Sequence, residues 1–405
     1  MKSIKKIDKI ATIILLMLAV GIFQPHPRQD LSLDPYGGSL VSTLNNIGSY
    51  VFIMILMTRH WKSIIYTSTR NIPLLLLVGL ISVSILWSAD PQQTLEYSKG
   101  IWRIYLTGAY LSWQYSVQEQ MWMLSLPLGL AALSSLIVYF LFPFYGVSEI
   151  GLSGIYGHKT VLGANMALSA GIFLHLALSN RRYWWILWPG FGLSVVVLLL
   201  SKSATAVSIL AAFIVLLIVY KLIQSNQYKL QVIFISFAIL LIFTGSIWSI
   251  NHAETLVATQ GKDLSLTGRT PLWSDLMVKI QERPFLGYGF GGFWGSAESI
   301  NIKADYPWAS GSHNGFIEIG LYLGLLGFTI FVISFFQSVL KGLSEIVLCA
   351  KTWEDFWPMQ SLVYLFMLSC SEGLLFVPYN VYWLLYVTIS LSLYLEPRRR
   401  NKKTV

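Results

Sequence analysis

"LSVVVLLLSKSATAVSILAAFIVLLIVY", residues 193–220, is two apolar arms separated by a single lysine, Lys202. A soluble protein needs far more charge to cover its surface. A bilayer core takes roughly 17–25 apolar residues per helix, so the stretch reads as the end of one membrane span (184–200) and nearly all of the next (204–221). Lys202 then falls at the break between them. An ionisable side chain there is costly and is a functional candidate by default. The competing reading is a lysine that snorkels to the interface.

The same texture runs through the chain. Of 405 residues, 55% are hydrophobic and only 12% charged, with a mean hydropathy of +0.61. Apolar runs near 10–23, 41–58, 72–88, 100–113, 122–142, 160–180, 184–200, 204–221, 230–250, 314–340, 357–377 and 380–395 predict about twelve spans. The fold class expected is therefore all-α: a polytopic transmembrane helical bundle forming a single integral membrane domain, 1–405. The first run follows Lys2, Lys5, Lys6 and Lys9, as a signal-peptide core does. It is read as a span because no A-x-A-like cleavage site follows Phe23.

The net charge of +9 is explained by orientation. With both termini in the cytoplasm, Arg59, Lys62 and Arg70, then Arg181 and Arg182, then Arg398–Arg400, Lys402 and Lys403 all fall on the inner side. This is the positive-inside pattern, and it removes nucleic acid as a partner. Cys349 and Cys370 lie where neither a disulfide nor a metal cluster is expected.

One connection is long. About sixty residues, 251–312, are expected outside between spans nine and ten, a length more often functional than decorative. Within it, Thr270-Pro271 reads as an N-cap followed by proline at the first helical position. Pro284 ends the element, giving a short helix over 271–283. Arg269 stands just before it, where a helix N-terminus and a guanidinium together suit an anion; the alternative is a solvated loop arginine. "GYGFGG" (287–292) matches a dinucleotide fingerprint in letters only, since no strand precedes it. Gly287 and Gly289 are instead expected to let a re-entrant turn pack tightly.

"SHNGFIEIGLYLGLLG" (312–327) closes the loop and opens the tenth span. Ser312 is expected to cap a helix beginning at His313, placing the imidazole at the outer, electropositive end as a neutral base. Gly320, Gly324 and Gly327 recur at small-xxx-small spacing, which lets another helix come close. Asn314 and Glu318 share a neighbouring face, where Asn314 could orient the carboxylate or a substrate hydroxyl. The plain alternative for His313 is an interfacial polar residue. His158 and Lys159, in "GHKTVLGAN", sit at the mouth of the sixth span as substrate-positioning candidates. Arg103 in the fourth span and Glu372 in "SCSEGLL" are close to or within the membrane, as functional groups or as members of buried ion pairs.

On the outer face a glycosyl or phosphoryl donor must arrive already activated. A lipid-linked diphosphate qualifies, and its leaving group needs fixed positive charge, which Arg269 and Lys202 would supply. His313 would take the proton of an attacking hydroxyl. There is no Asp-x-Asp pair and no His/Asp/Glu cluster at metal-ligand spacing, so metal-free chemistry without a cofactor is expected. No G-x-S-x-G elbow argues for an acyl-enzyme.

These motifs carry a resemblance. "HNGFIEIGLYLGLLG", a His-Asn pair, nine residues and then Gly-x-x-Gly, is similar to the signature of the bacterial O-antigen ligase and O-antigen polymerase superfamily. "TGRTPLW" with "RPFLGYGFGGF", and "LWSADPQQTLEYSKG" (86–100), resemble its exopolysaccharide-polymerisation branch. "GHKTVLGAN" and "LLLSKSATA" resemble further family segments. The resemblance implies a GT-C-like, metal-independent, inverting glycosyltransferase of twelve helices in the bacterial inner membrane, with its active site facing the periplasm. The substrates implied are an undecaprenyl-diphosphate-linked oligosaccharide and a glycan acceptor, with membrane lipid and polysaccharide-assembly proteins as further partners. His313 resembles the activating histidine and Arg269 the diphosphate-binding arginine. Lys202 stands where many members have arginine, keeping the charge and losing the two-pronged fork. The 86–100 stretch favours a polymerase over a ligase that transfers polymer to a lipid A core. A twelve-span transporter or flippase is the rival from another class; the absence of a half-to-half repeat argues against it.

Overall fold

In the computed structural model, residues 2–22, 40–148, 150–223, 269–349, 352–378 and 380–403 are described. The ninth predicted span, 230–250, and the first part of the long loop, 251–268, lie outside them. The described chain is helical apart from a hairpin of two-residue strands, Val147–Ser148 and Gly151–Leu152. Its longer helices are α1 (Lys2–Val20), α2 (Leu40–Ser68), α3 (Ile72–Val83), α4 (Pro91–Gln114), α5 (Val117–Leu141), α6 (Lys159–Ser179), α7 (Trp184–Leu200), α8 (Ala204–Ile223), α9 (Arg269–Glu282), α10 (Gly315–Cys349), α11 (Trp353–Ser371) and α12 (Val381–Lys403).

Among the described residues, five helices are long and apolar enough to cross a bilayer, or six if a pair bent by 114° at 69–71 counts as one span. The protein is therefore an all-α, multi-pass membrane protein. That bent pair departs from the expected 41–58 span: α2 continues to Ser68, with non-helical dihedrals at His60. Residues 59–68 contain no glycine or proline to stop it. The turn comes at Asn71, whose side chain accepts from the Leu74 amide, with Pro73 fixing the first turn of α3.

Local signals set the other helix starts. Asp90 caps α4 by accepting from the Gln93 amide at 3.0 Å, ahead of Pro91, so α4 begins well before the predicted edge at 100. Ser116 and Glu119 form a capping box at α5. The core is centred on α6, which is buried continuously from Leu162 to Ala177. Its small residues permit this. A Cβ at Gly163 would lie 2.7 Å from Ser203, just before α8, and one at Gly171 would lie 2.3 Å from the Phe213 ring. In a bilayer such close backbone approach, rather than hydrophobicity, brings helices together.

The polar end of the bundle is built around a break in α10. Gly324 adopts φ 58°, ψ −158°, a conformation essentially restricted to glycine. The break disturbs backbone pairing, and an unsatisfied group in hydrocarbon costs several kcal/mol. Residues 284–288 run alongside and supply partners. Leu325 N donates to Pro284 O (2.7 Å), Leu326 N to Phe285 O (3.2 Å), and Tyr288 N to Leu321 O (2.8 Å). The opposite edge of the same segment is held by Ala89 N to Tyr288 O (2.8 Å) and Trp87 Nε1 to Leu286 O (2.9 Å).

Two glycines make that contact possible. A Cβ on Gly287 would lie 2.4 Å from Leu321 O, and one on Gly324 would lie 2.5 Å from the Phe285 carbonyl carbon. The Gly320/Gly324/Gly327 row thus has mixed roles. Gly320 faces Ile280 of α9, Gly324 is the break, and a Cβ on Gly327 would meet Leu323 of its own helix.

Candidate active site

α9 begins at Arg269, two residues earlier than expected, so the arginine stands in its first turn. Its side chain reaches the end of α11: Nη1 donates to Ser371 O at 2.7 Å and Nη2 to Glu372 Oε1 at 2.8 Å. The physical reason is clear. Ser371 is the last residue of α11, where carbonyls lack intrahelical partners and the dipole is negative. Glu372 is only 5% exposed, and a carboxylate so buried requires partners.

Glu372 has a second partner. Its Oε2 lies 3.0 Å from His313 Nδ1. A carboxylate only accepts hydrogen bonds, so Nδ1 is the donor in this pair, the tautomer in which a neutral ring would present its lone pair on Nε2. Nε2 is buried and has no hydrogen-bond partner among the described residues. The Trp308 ring lies beside the imidazole, with centroids 5.7 Å apart and planes tilted by 30°.

The turn that carries His313 differs from the expected one. Ser312 does not cap the helix; Asn314 does, its Oδ1 accepting from Phe316 N (2.9 Å) and Ile317 N (3.2 Å), and α10 starts at Gly315. Ser312 is pinned from three sides. Its carbonyl accepts from Trp273 Nε1 of α9 at 2.8 Å, its amide donates to Glu318 Oε2 at 3.0 Å, and its hydroxyl donates to Asn314 O at 2.7 Å. Glu318, buried at 5% exposure, also accepts from Trp294 Nε1 at 2.8 Å. It anchors the loop and makes no side-chain bond to Asn314. His313 is left with φ 50°, a left-handed conformation that costs about 1–3 kcal/mol outside glycine.

Among the described residues one other non-glycine residue has positive φ, and it is Lys202, at 52°. It occupies the turn between α7 and α8, exposed, and its ammonium makes no hydrogen bond or ion pair with the described residues. His158 is the N-cap of α6: its Nδ1 accepts from Thr160 N (3.3 Å) and lies 2.7 Å from Thr160 Oγ1. Burial pushes the His158 imidazole below its ordinary value, partly offset by the Glu372 charge; His313, Lys159 and Arg269 also act on it. It therefore shares the electrostatic neighbourhood of the trio.

Lys159 Nζ donates to Ile150 O at 3.1 Å. The next residue, Gly151, lies so close to the α7–α8 turn that a Cβ there would be 2.4 Å from Ser201 O and 3.3 Å from Lys202 Cβ. The hairpin thus connects Lys159 with Lys202. Lys202 forms no hydrogen bond or ion pair with Arg269 or His313. Among the described residues no three His, Cys, Asp or Glu side chains form a group that could hold a metal ion.

The direct trio is thus Arg269, Glu372 and His313. Glu372 was noticed in the sequence as an intramembrane carboxylate, but its pairing with a histidine 59 positions away left no local trace. Trp308 carried no signal either, and Trp294, expected from the sequence against the bilayer interface or a sugar ring, is buried and donates to Glu318.

A helical membrane protein with a histidine–carboxylate–arginine trio at one end of the bundle is the class these features define. Residues 189–332, which contain Lys202, Arg269 and His313, match the family described as O-antigen ligase. Over 282 residues, covering 62% of this chain and 60% of the relative, the chain is 28% identical to the exopolysaccharide production protein ExoQ of Rhizobium meliloti (strain 1021). The matched part spans less than two thirds of that relative. Both findings are likenesses that support the O-antigen ligase and O-antigen polymerase superfamily.

Proposed function

We propose that this protein is a metal-independent, inverting membrane glycosyltransferase that elongates a glycan on an undecaprenyl-diphosphate carrier for exopolysaccharide or O-antigen assembly. In this reading His313 is the general base. The acceptor hydroxyl gives its proton to Nε2 as its oxygen attacks the anomeric carbon. The bond to the diphosphate breaks in the same displacement, which inverts the centre, and the diphosphate takes the electron pair.

Glu372 holds the ring in the required tautomer and stabilises the imidazolium that forms. Arg269 donates one N–H each to Ser371 and Glu372, and its guanidinium, with five donors in all, would also bind the leaving diphosphate. Lys202 adds a second cation from the α7–α8 turn. His158 and Lys159 border the acceptor side, while Asn314 and Glu318 fix the turn that presents His313.

The proposal places both termini in the cytoplasm of the bacterial inner membrane, with about twelve spans in one domain, 1–405. The 251–312 segment then forms a periplasmic cover. The observation that carries the reading is Nε2 of His313: buried, without a hydrogen-bond partner among the described residues, on a ring that is held by a carboxylate and carried by a strained turn. The likeness to an exopolysaccharide production protein favours polymerisation. The family description, O-antigen ligase, supports a second reading in which finished polymer is transferred to a lipid A core or other acceptor.

The test is a reaction of the purified protein with a lipid-diphosphate oligosaccharide, with and without EDTA. Polymerisation predicts longer lipid-linked chains in both. Transfer only to an added lipid A core would favour the second reading. Folded protein that forms neither product refutes both, and loss of activity with EDTA refutes metal-free chemistry.

A further inference from the structure

A second polar site lies away from the trio, on the face of α4 that turns toward α2 and α3. A cavity of about 340 Å³ opens there, with Lys99 and Arg103 in its lining and no carboxylate among its described lining residues. The two cations are four residues apart, so they stand about one helical turn from each other on the same face. Tyr50 and Trp102 form aromatic walls, and Ile53 and Leu106 form apolar ones.

Arg103 is held in place: Nη1 donates to Ser49 Oγ at 2.7 Å, and the guanidinium lies 5.3 Å from the Tyr50 ring centre. Trp102 Nε1 donates to Ser82 Oγ at 2.6 Å. Lys99 is exposed and shares its ammonium with Glu96 at 2.7 Å, which leaves two of its three N–H donors.

Charge and the sequence pattern of α4 point to the occupant. The first turns of α4 carry Gln92, Gln93 and Glu96, and the apolar run begins at Gly100. Lys99 therefore stands where the polar first turns of α4 meet its apolar run, with Arg103 one turn further along, beside aromatic residues of the kind that favour a membrane interface. Two cations next to apolar walls match a phosphate with acyl chains beside it.

We propose that this groove holds an anionic glycerophospholipid of the leaflet on the side of the 283–313 segment, its phosphate lying between Lys99 and Arg103. The site is separate from the glycosyl-transfer proposal and does not depend on it.

The test is native mass spectrometry of the full chain taken from vesicles of equal phosphatidylglycerol and phosphatidylcholine. Wild type should retain phosphatidylglycerol, and Lys99→Gln/Arg103→Gln should retain about tenfold less. Lys99→Gln alone, at an exposed position, should lose about threefold. Thermal unfolding in phosphatidylcholine alone checks that the variants fold as wild type does. Equal retention of the two lipids by wild type, or unchanged retention by both folded variants, overturns the proposal. Displacement of phosphatidylglycerol by equimolar undecaprenyl phosphate also overturns it, because the groove would then belong to the carrier lipid.

Discussion

Two histidines engage Nδ1 in the same way in opposite settings. His175, in the middle of α6, is fully buried, lies 2.9 Å from Gly171 O through Nδ1, and meets Trp357 edge-on. His313, at the mouth of α10, is 16% exposed and bonds Glu372. A carbonyl fixes a ring; a carboxylate also stabilises the charge the ring acquires on taking a proton. The first arrangement is architecture and the second is suited to chemistry. The lesson is that an intramembrane histidine is judged by the partner on its far nitrogen and by what its near nitrogen faces.

The sharpest way to break the comparison is Glu372→Gln. It keeps the shape and removes the charge, so turnover per folded molecule should fall by roughly 10²–10⁴-fold. His175→Gln should instead lower thermal stability by about 1–3 kcal/mol and leave the turnover of folded protein unchanged. If both variants behave alike in a paired turnover and unfolding assay, the distinction fails.

Arg269 comes next. Arg269→Ala should raise the donor KM strongly, and Arg269→Lys should restore it only in part, because an ammonium lacks the planar fork. Equal KM values for lysine and arginine would argue against two-pronged binding.

Gly324→Ala should destabilise by about 1–3 kcal/mol from backbone strain alone. Its Cβ would also press on the Phe285 carbonyl carbon. The loss should appear as a lower unfolding temperature and as easier proteolysis of the 283–293 segment.

The smallest effect is one of pH. Burial holds the His158 imidazole below its ordinary 6.5, so the unfolded chain binds a proton that the folded chain refuses. Stability should therefore fall as pH drops through 6.5 and stop falling below the folded value. His158→Gln should flatten that slope in thermal unfolding measured between pH 7.5 and 5.

Much of this was legible in the residues. Apolar runs as long as the 204–221 arm announce a membrane helix by themselves, and α8 covers that arm. Local caps were partly legible. Ser312 was read as the cap of α10 because it precedes an apolar run, whereas Asn314, with a side-chain carbonyl facing two amides, takes the position. Span edges failed where nothing stops a helix, as at 59–68, or where a cap lies outside the apolar run, as Asp90 does.

The Gly324 break was hidden because it is created by a distant segment. Glycine spacing alone cannot tell a helix-packing face from a hinge that residues 284–288 complete. The site divides in the same way. His313 and Arg269 stood out through motif and position, whereas their meeting at Glu372 depends on how α9, α10 and α11 converge.

The most direct test is the single-turnover rate of purified His313→Ala on a lipid-diphosphate oligosaccharide, compared with wild type under conditions where both remain folded. A neutral imidazole accepting a proton through Nε2 predicts a loss of at least about 100-fold. A rate within about threefold of wild type, too small for a lost general base, would contradict the account.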